Sequence, residues 1–493
     1  MKPGIRIVST APGVGGDSVE MNPLLIGFPD PLDDSSLVQR LAFNPFYSRT
    51  WRERNRDPSR LRDYLQSVFV PTPTTIEATR RMLLSIRNGY LRRDPAQPNC
   101  WSEYFRDERG APPSVQFDPR HPAPIAIIGI TGVGKSHLVG RALSLLPPPR
   151  KHEALSTHLA SVVQIPFIYI HLGTVDSLLG LIVAILTQID EVLGVSSYGD
   201  VGRQPNVDVL IDRAIRILKT HFCGAVVLEE VQYLNFGHTS ASARVRNFML
   251  KLSNAGIPLI LVGNPLGFQF KEKNGTSSQL LRRLKDNAIR LEPAEAASDD
   301  EWRYLIRGLW PCQLLENRAK LTDEWYDLLY RITGGFPAFL ISLLDAAQQL
   351  AMRRGHRSLS SEIVVEAANA DRWLKRQERM MIDAFVAKDP VRLREFSDID
   401  HLYYRDKWTS NSDPLPLADM PRTHETSQRY VEAGKMELSL KPASKAPREK
   451  VSADPAAVQT RQFFLGALDQ MLGQHDESSL PSVDATPKRD RTA

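Results

Sequence analysis

The sequence predicts an α/β fold: a parallel sheet flanked by helices, followed by a small unit made of helices only. Three observations predict it. Pro124 to Leu143, PIAIIGITGVGKSHLVGRAL, joins a short apolar run to a glycine-punctuated loop and a helix start. Apolar runs of strand length then alternate with segments of helical periodicity as far as Gly263. From Ser298 onward the helical period stands alone. At 493 residues the chain is too long for one core, so two or three domains are expected.

The loop Gly129-Ile130-Thr131-Gly132-Val133-Gly134-Lys135-Ser136 fits G-x-x-x-x-G-K-[ST] at every position. Glycines let backbone N–H groups wrap a polyphosphate, and the helix start adds favourable partial charge. Lys135 would reach the outer phosphates, and the Ser136 hydroxyl would meet Mg²⁺. These residues, with His137 beside them, are the candidate ATP site, and Mg²⁺ is the expected companion ion.

Further strands are expected at Phe167 to His171, Ala225 to Leu228 and Leu259 to Val262, with helices over Gly173 to Leu193, Asp208 to Thr220 and Arg244 to Asn254. Glu229 and Glu230 follow the third of the four predicted strands at once. Carboxylates at a buried strand end are where an ATPase holds metal and polarises water, so Glu229 is assigned to the metal and Glu230 to the water. The alternative is a solvated strand end. Asn264 follows the next strand, where it either orients water and terminal phosphate or merely opens an Asn-Pro turn. Arg282 and Arg283 lie on a probable helix, SSQLLRRL; being adjacent, they do not share a face, so one can reach a neighbouring subunit's phosphate.

Residues 298–388 read as a helical lid. Ser298-Asp299-Asp300-Glu301 has the form of a capping box, and Pro337 opens a helix after Gly334-Gly335. Residues 1–119 form an amino-terminal extension rich in arginine, with eleven arginines against four acids between Arg49 and Arg93. Within it Thr75 to Asn88 reads as an amphipathic helix closed by Gly89. Its arginines are either a solvated face or a phosphate-binding stripe. Residues 389–493 turn polar and read as a largely disordered tail, save Gln459 to Gln474, a helical segment that either docks a partner or packs back on its own domain.

Cys100, Cys223 and Cys312 are few and far apart, which suggests a reducing compartment rather than a disulfide framework or zinc site. No apolar run approaches a membrane span, and the first residues lack the apolar core of a signal peptide, so a cytoplasmic protein without membrane contact is expected. A net charge of +5 permits a nucleic-acid partner. Lys151, Arg203, Arg244, Arg246 and Lys251 are the candidates for contacting it, and ordinary surface charge is the other reading of each.

Taken together, GITGVGKS at 129–136, AVVLEEVQYL at 225–234, IPLILVGNP at 257–265, SSQLLRRL at 277–284 and TGGFPAFL at 333–340 resemble an AAA+ P-loop ATPase core. Within that superfamily they resemble the TnsC/TniB group of transposition regulators. The resemblance covers roughly Ala123 to Ala370; residues 120–297 are read as the AAA+ core and 298–388 as its lid. The amino-terminal block is similar to the extension of the long TnsC proteins of Tn-seven-like elements. The resemblance implies a protein that oligomerises as a ring or filament on double-stranded DNA when ATP is bound. It implies two further partners, a target selector of TnsD/TniQ type and transposase subunits. On this chain it makes Glu230 the residue supporting hydrolysis, Asn264 the first sensor and Arg282 or Arg283 the trans-acting finger. Two departures, Glu229 in place of the usual Asp and Ala338 where related lids carry an arginine, imply slow turnover. A replication-initiator-like or helicase-loading ATPase would share these motifs, and a signalling or defence NTPase scaffold without DNA is the third reading.

Overall fold

A computed structural model of the chain describes residues 8–10, 22–31, 33–55, 57–95, 124–156, 159–175, 177–202, 206–234, 240–268, 284, 287–370 and 373–409. A strand β1 (Val8–Thr10) is followed by α1 (Asp34–Leu41), α2 (Arg49–Arg54), α3 (Leu61–Ser67) and the long α4 (Pro73–Arg92). The α/β core then runs β2 (Ile125–Gly129), α5 (Lys135–Leu143), β3 (Arg150–Ser156), β4 (Leu159–Gln164) and β5 (Ile168–His171). It continues through α6 (Leu178–Leu193), α7 (Val207–Thr220), β6 (Val226–Glu229), α8 (Ser240–Asn254), β7 (Leu259–Gly263) and β8 (Ala288–Leu291). Six helices follow: α9 (Asp300–Leu309), α10 (Asp323–Thr333), α11 (Pro337–Arg353), α12 (Ser361–Asn369), α13 (Arg376–Val386) and α14 (His401–Thr409). Among the described residues, no single helix is long and apolar enough to cross a membrane.

The central sheet has the order β5-β6-β7-β2-β8, all parallel, as the alternation of strand and helix patterns predicts. Side chains on a strand alternate between faces, and here both faces are buried. Ile127, Val227, Ile260 and Val262 point into one apolar layer beneath α4 and α5. Ala126, Val226, Leu228, Leu259 and Leu261 point into the other, beneath α6, α7 and α8. A third cluster unites α9 to α12 around the fully buried Trp302.

Several expectations need correction. The described part of the amino-terminal extension packs on both other parts: Leu37, Leu41, Ile76 and Ile86 share a core with the sheet, and Phe46, Leu61 and Leu65 share one with the lid. The α4 helix does not stop at Gly89. It begins at a true capping box, Thr72 with Thr75, and runs on until Arg93 folds back, Nε donating to the Gly89 carbonyl at 2.8 Å and a terminal nitrogen donating to Cys223 at 2.7 Å. Arg93 is thus buried against carbonyls rather than part of a solvated basic face. Ser298 caps nothing, because α9 starts at Asp300. The Asp299 carboxylate instead accepts from the Glu295 N–H at 3.0 Å, and Glu301 accepts from Thr74 across the molecule at 2.9 Å. Residues 150–164 form an unpredicted antiparallel hairpin, β3 with β4, that also pairs in parallel with β1.

The polar segment after 388 does not begin as disordered chain. Residues 389–409 lie back on the core as a strap ending in α14, with Leu393, Ile399 and Tyr404 buried. Tertiary contact outweighs its polar composition. Phe336, Phe385, Tyr404 and Trp408 stack in series at 5.1, 5.0 and 5.2 Å between ring centres. Lys407 pairs with both Glu292 and Glu295, and the Arg290 guanidinium sits 4.0 Å over the Tyr403 ring. The segment 459–474 lies outside the described residues.

Two histidines tie the hairpin in place. His152 Nε2 donates to Gln164 at 2.8 Å, and His221 Nδ1 donates to the Val163 carbonyl at 2.9 Å. Burial holds both imidazoles below the ordinary value of 6.5, and the His221 Nε2 is buried without a hydrogen-bond partner. The folded state therefore binds fewer protons than the unfolded chain as pH falls through 6.5, and stability is lost in that direction. The urea midpoint is expected to drop between about pH 7.5 and about pH 5.5, and His221→Gln is expected to flatten that slope.

Candidate active site

Strand register places the predicted residues on one line. His171 lies opposite Glu229, Glu229 opposite Val262, Ile128 opposite Gly263, and Gly129 opposite Leu291. The phosphate loop, the two glutamates and Asn264 all leave the sheet from this carboxyl edge, where open parallel sheets bind ligands.

The loop adopts the shape that its glycines permit. Gly132 and Gly134 both have φ of +92°, a left-handed backbone that would strain an L side chain. Gly134 occupies the N-cap of α5 with no side-chain cap, so the first-turn N–H groups of α5 are left to serve an anion. Ile130 and Val133 are buried and hold the loop down, while Thr131 and Ser136 are exposed. Lys135 is buried, and its Nζ donates to the Ile130 carbonyl at 3.1 Å. Burial pulls its ammonium below the usual range, while Glu230, Glu229 and Asp398 oppose the shift. A polyphosphate on the loop would supply the anion that this buried cation needs.

Glu229 is buried. Tyr169 on β5 donates its hydroxyl to one carboxylate oxygen, and the other, Oε1, is buried with no hydrogen-bond partner. An orphaned buried carboxylate oxygen costs on the order of 1–3 kcal/mol or more, and a cation beside it would remove that cost. Glu229 and the exposed Ser136 hydroxyl are hard oxygen donors of the kind Mg²⁺ takes, so these residues fit that ion. Glu230 has φ of +62°, a conformation costing a non-glycine residue about 1–3 kcal/mol, which is the kind of strain that collects at functional sites. Asn264 is buried at the adjoining strand end, where its side-chain oxygen accepts from the Gly267 N–H at 3.3 Å; the turn role and the site position coincide.

Beside the loop opens a cavity of about 890 Å³, between the amino-terminal segment, α5 and the lid. Phe69, Val133, His137, Leu138, Pro337 and Ile341 are among its lining residues. The His137 ring meets Phe69 edge-on at 5.1 Å, and burial with the Arg141 charge lowers its imidazole below the usual range. Charged residues, among them Arg80, Arg81, Arg290 and Glu292, complete the lining, and a cavity of this volume with mixed walls can take a base joined to phosphates on the loop. The lid reaches the loop itself: the Ala338 N–H, in the first turn of α11, donates to the Gly132 carbonyl at 3.1 Å.

Other predicted residues are not gathered here. Arg203, Arg282 and Arg283 lie outside the described residues. Arg244 and Lys251 on α8 pair with Asp208 and Asp212 of α7 at 3.3 and 3.4 Å, and Lys151 on the separate hairpin pairs with Glu153 at 3.2 Å. Such exposed pairs contribute about 0–1 kcal/mol each, so these side chains remain available to a stronger anion. Arg246 lies on the same helix as Arg244. Sequence reading missed Tyr169, Gln232 and Asp398. A tyrosine inside the apolar strand IYIH and a glutamine two places after the acids were visible signals. Asp398, 3.4 Å from the Thr131 hydroxyl across 267 residues of chain, left none.

Residues 119–271 match the family model described as AAA domain. The core is thus an AAA+ P-loop fold. No curated protein matches the chain. Among solved structures, the chain is similar to the Aeropyrum pernix ORC2 protein at 13% identity, covering 72% of this chain and 90% of that one with a TM-score of 0.37. It is similar to a Walker-type ATPase of Pyrococcus abyssi at 14% identity, covering 56% and 71% with a TM-score of 0.32. Drosophila ORC bound to DNA matches at 11% identity, over 63% and 72%, with a TM-score of 0.33. At these scores the likenesses decide nothing about function.

Lys135→Ala is expected to weaken binding of a fluorescent ATP analogue by at least about tenfold, since a charge-assisted hydrogen bond contributes about 1.5–3 kcal/mol. Circular dichroism should be unchanged.

Proposed function

We propose that this chain is an ATP-driven AAA+ switch that assembles on double-stranded DNA and regulates transposition, linking a target selector of TnsD/TniQ type to transposase subunits. The observation that carries the ATP half is the convergence of the phosphate loop, Glu229, Glu230 and Asn264 on one sheet edge beneath a lid bonded to the loop. The transposition half is supported by the motif resemblance alone.

In this reading Lys135 and the first-turn N–H groups of α5 hold the polyphosphate, and Ser136 with Glu229 hold Mg²⁺. Bound Mg²⁺ would neutralise charge on the phosphate oxygens. Glu230 orients the attacking water and accepts its proton, and Asn264 fixes the terminal phosphate. Arg282 or Arg283 of one subunit completes the site of the next in a homo-oligomer. Because the lid hydrogen-bonds to Gly132, loop occupancy and lid position change together, and assembly follows the nucleotide.

The initiator or helicase-loader reading shares this core. Initiators usually append a winged helix after the lid, and among the described residues after 388 there are helical turns and α14 but no strand.

Mobility shift of duplex DNA with and without ATP, across a salt series, tests the proposal. Binding is expected only with ATP and should weaken steeply as salt rises, since phosphate contacts release counterions. Glu230→Gln should retain ATP binding, slow hydrolysis at least about tenfold and prolong the DNA complex. No ATP-dependent duplex binding at low salt would overturn the DNA half, and wild-type hydrolysis by Glu230→Gln would overturn the catalytic assignment.

A further inference from the structure

One polar side chain at the sheet edge has no role in the site as built above. Gln232 follows Glu230 by two residues, in the turn after β6, and its carboxamide bonds in two directions. Its Nε2 donates to Glu230 Oε2, and its Oε1 accepts from the Asn264 main-chain N–H at 3.2 Å. A main-chain N–H can only donate, so it settles which end of the carboxamide faces β7 and leaves the NH₂ group toward Glu230. The seat is tight on two sides. A Cβ on Gly263 would lie 2.9 Å from Gln232 Oε1, and one on Gly267 would lie 2.8 Å from the Gln232 backbone nitrogen. The carboxylate so held belongs to the residue whose backbone sits at φ +62°.

We infer that Gln232 is a positioning residue for hydrolysis, which holds the Glu230 carboxylate by one oxygen and locks it in register with the strand end carrying Asn264. It touches no reacting atom. The second carboxylate oxygen is left to receive the water proton, and the acid and Asn264 move as one hydrogen-bonded unit. This assignment rests on the reading of Glu230 as the group that activates water.

The test uses the full chain and three variants, Gln232→Ala, Gln232→Glu and Glu230→Gln. Steady-state ATP hydrolysis, binding of a fluorescent ATP analogue and thermal unfolding are measured for each. Gln232→Ala should lower kcat about tenfold, with KM and nucleotide affinity within about twofold of wild type, because misplacing a catalytic group lowers rate rather than binding. Gln232→Glu has the same shape and still accepts from Asn264, but it has lost the donor to Glu230. It should fall at least as far as the alanine variant, whereas a residue needed only for packing would be rescued by it. Should Gln232→Ala fail to fold, Gln232→Glu carries the test. Wild-type kcat in Gln232→Glu, or a kcat loss matched by an equal loss of nucleotide affinity, would overturn the inference. If Glu230→Gln is inactive while the Gln232 variants are unaffected, the inference alone falls. If Glu230→Gln hydrolyses as wild type, the water-activating role falls and takes the inference with it.

Discussion

A hydrogen bond from the Ala338 N–H to the Gly132 carbonyl ties the lid directly to the phosphate loop, at the point where nucleotide would bind. It is available because Ala338 lies in the first turn of α11, where N–H groups have no partner within the helix. Gly132, which accepts it, has φ of +92°. Gly335 reinforces the junction, its carbonyl accepting from the Ala294 N–H at 3.2 Å.

The remaining layers build on this junction. The α5 helix is held from outside by the amino-terminal region: Arg141 donates to the carbonyls of Leu41 and Arg40, both at 2.8 Å, at the end of α1. The amino-terminal residues also wall the cavity, through Phe69, and enter the lid core, through Phe46 and Leu65. The base side of the candidate site is therefore shared by three segments distant in sequence. The phosphate side comes from the strand ends and the start of α5. That division explains why one side was readable in the sequence and the other was not.

Strands β2, β6 and β7 were legible because each is a short apolar run buried on both faces, and β5 because its isoleucines alternate into the core. The loop and the two acids were legible for the same reason, since local chemistry and strand register suffice to bring them together. The β3–β4 hairpin was not, because RKHEALSTHLASVVQ mixes polar and apolar residues and its order comes from distant partners, such as the Leu24 carbonyl that accepts from Gln164. Arg93 reads as solvated charge until the carbonyls of Gly89 and Cys223 are placed around it. The expected cap at Ser298 lost to longer-range bonds made by Asp299 and Glu301.

The aromatic series Phe336, Phe385, Tyr404 and Trp408 starts at the lid turn against Gly132 and ends one residue before the described chain does. Trp408, beside the last described residue Thr409, is thus linked through three ring contacts to the lid turn that packs against the phosphate loop. A binding motif joined at that point would meet the loop at the effective concentration of an intramolecular partner, in the millimolar range for short flexible tethers, so that even a weak affinity suffices.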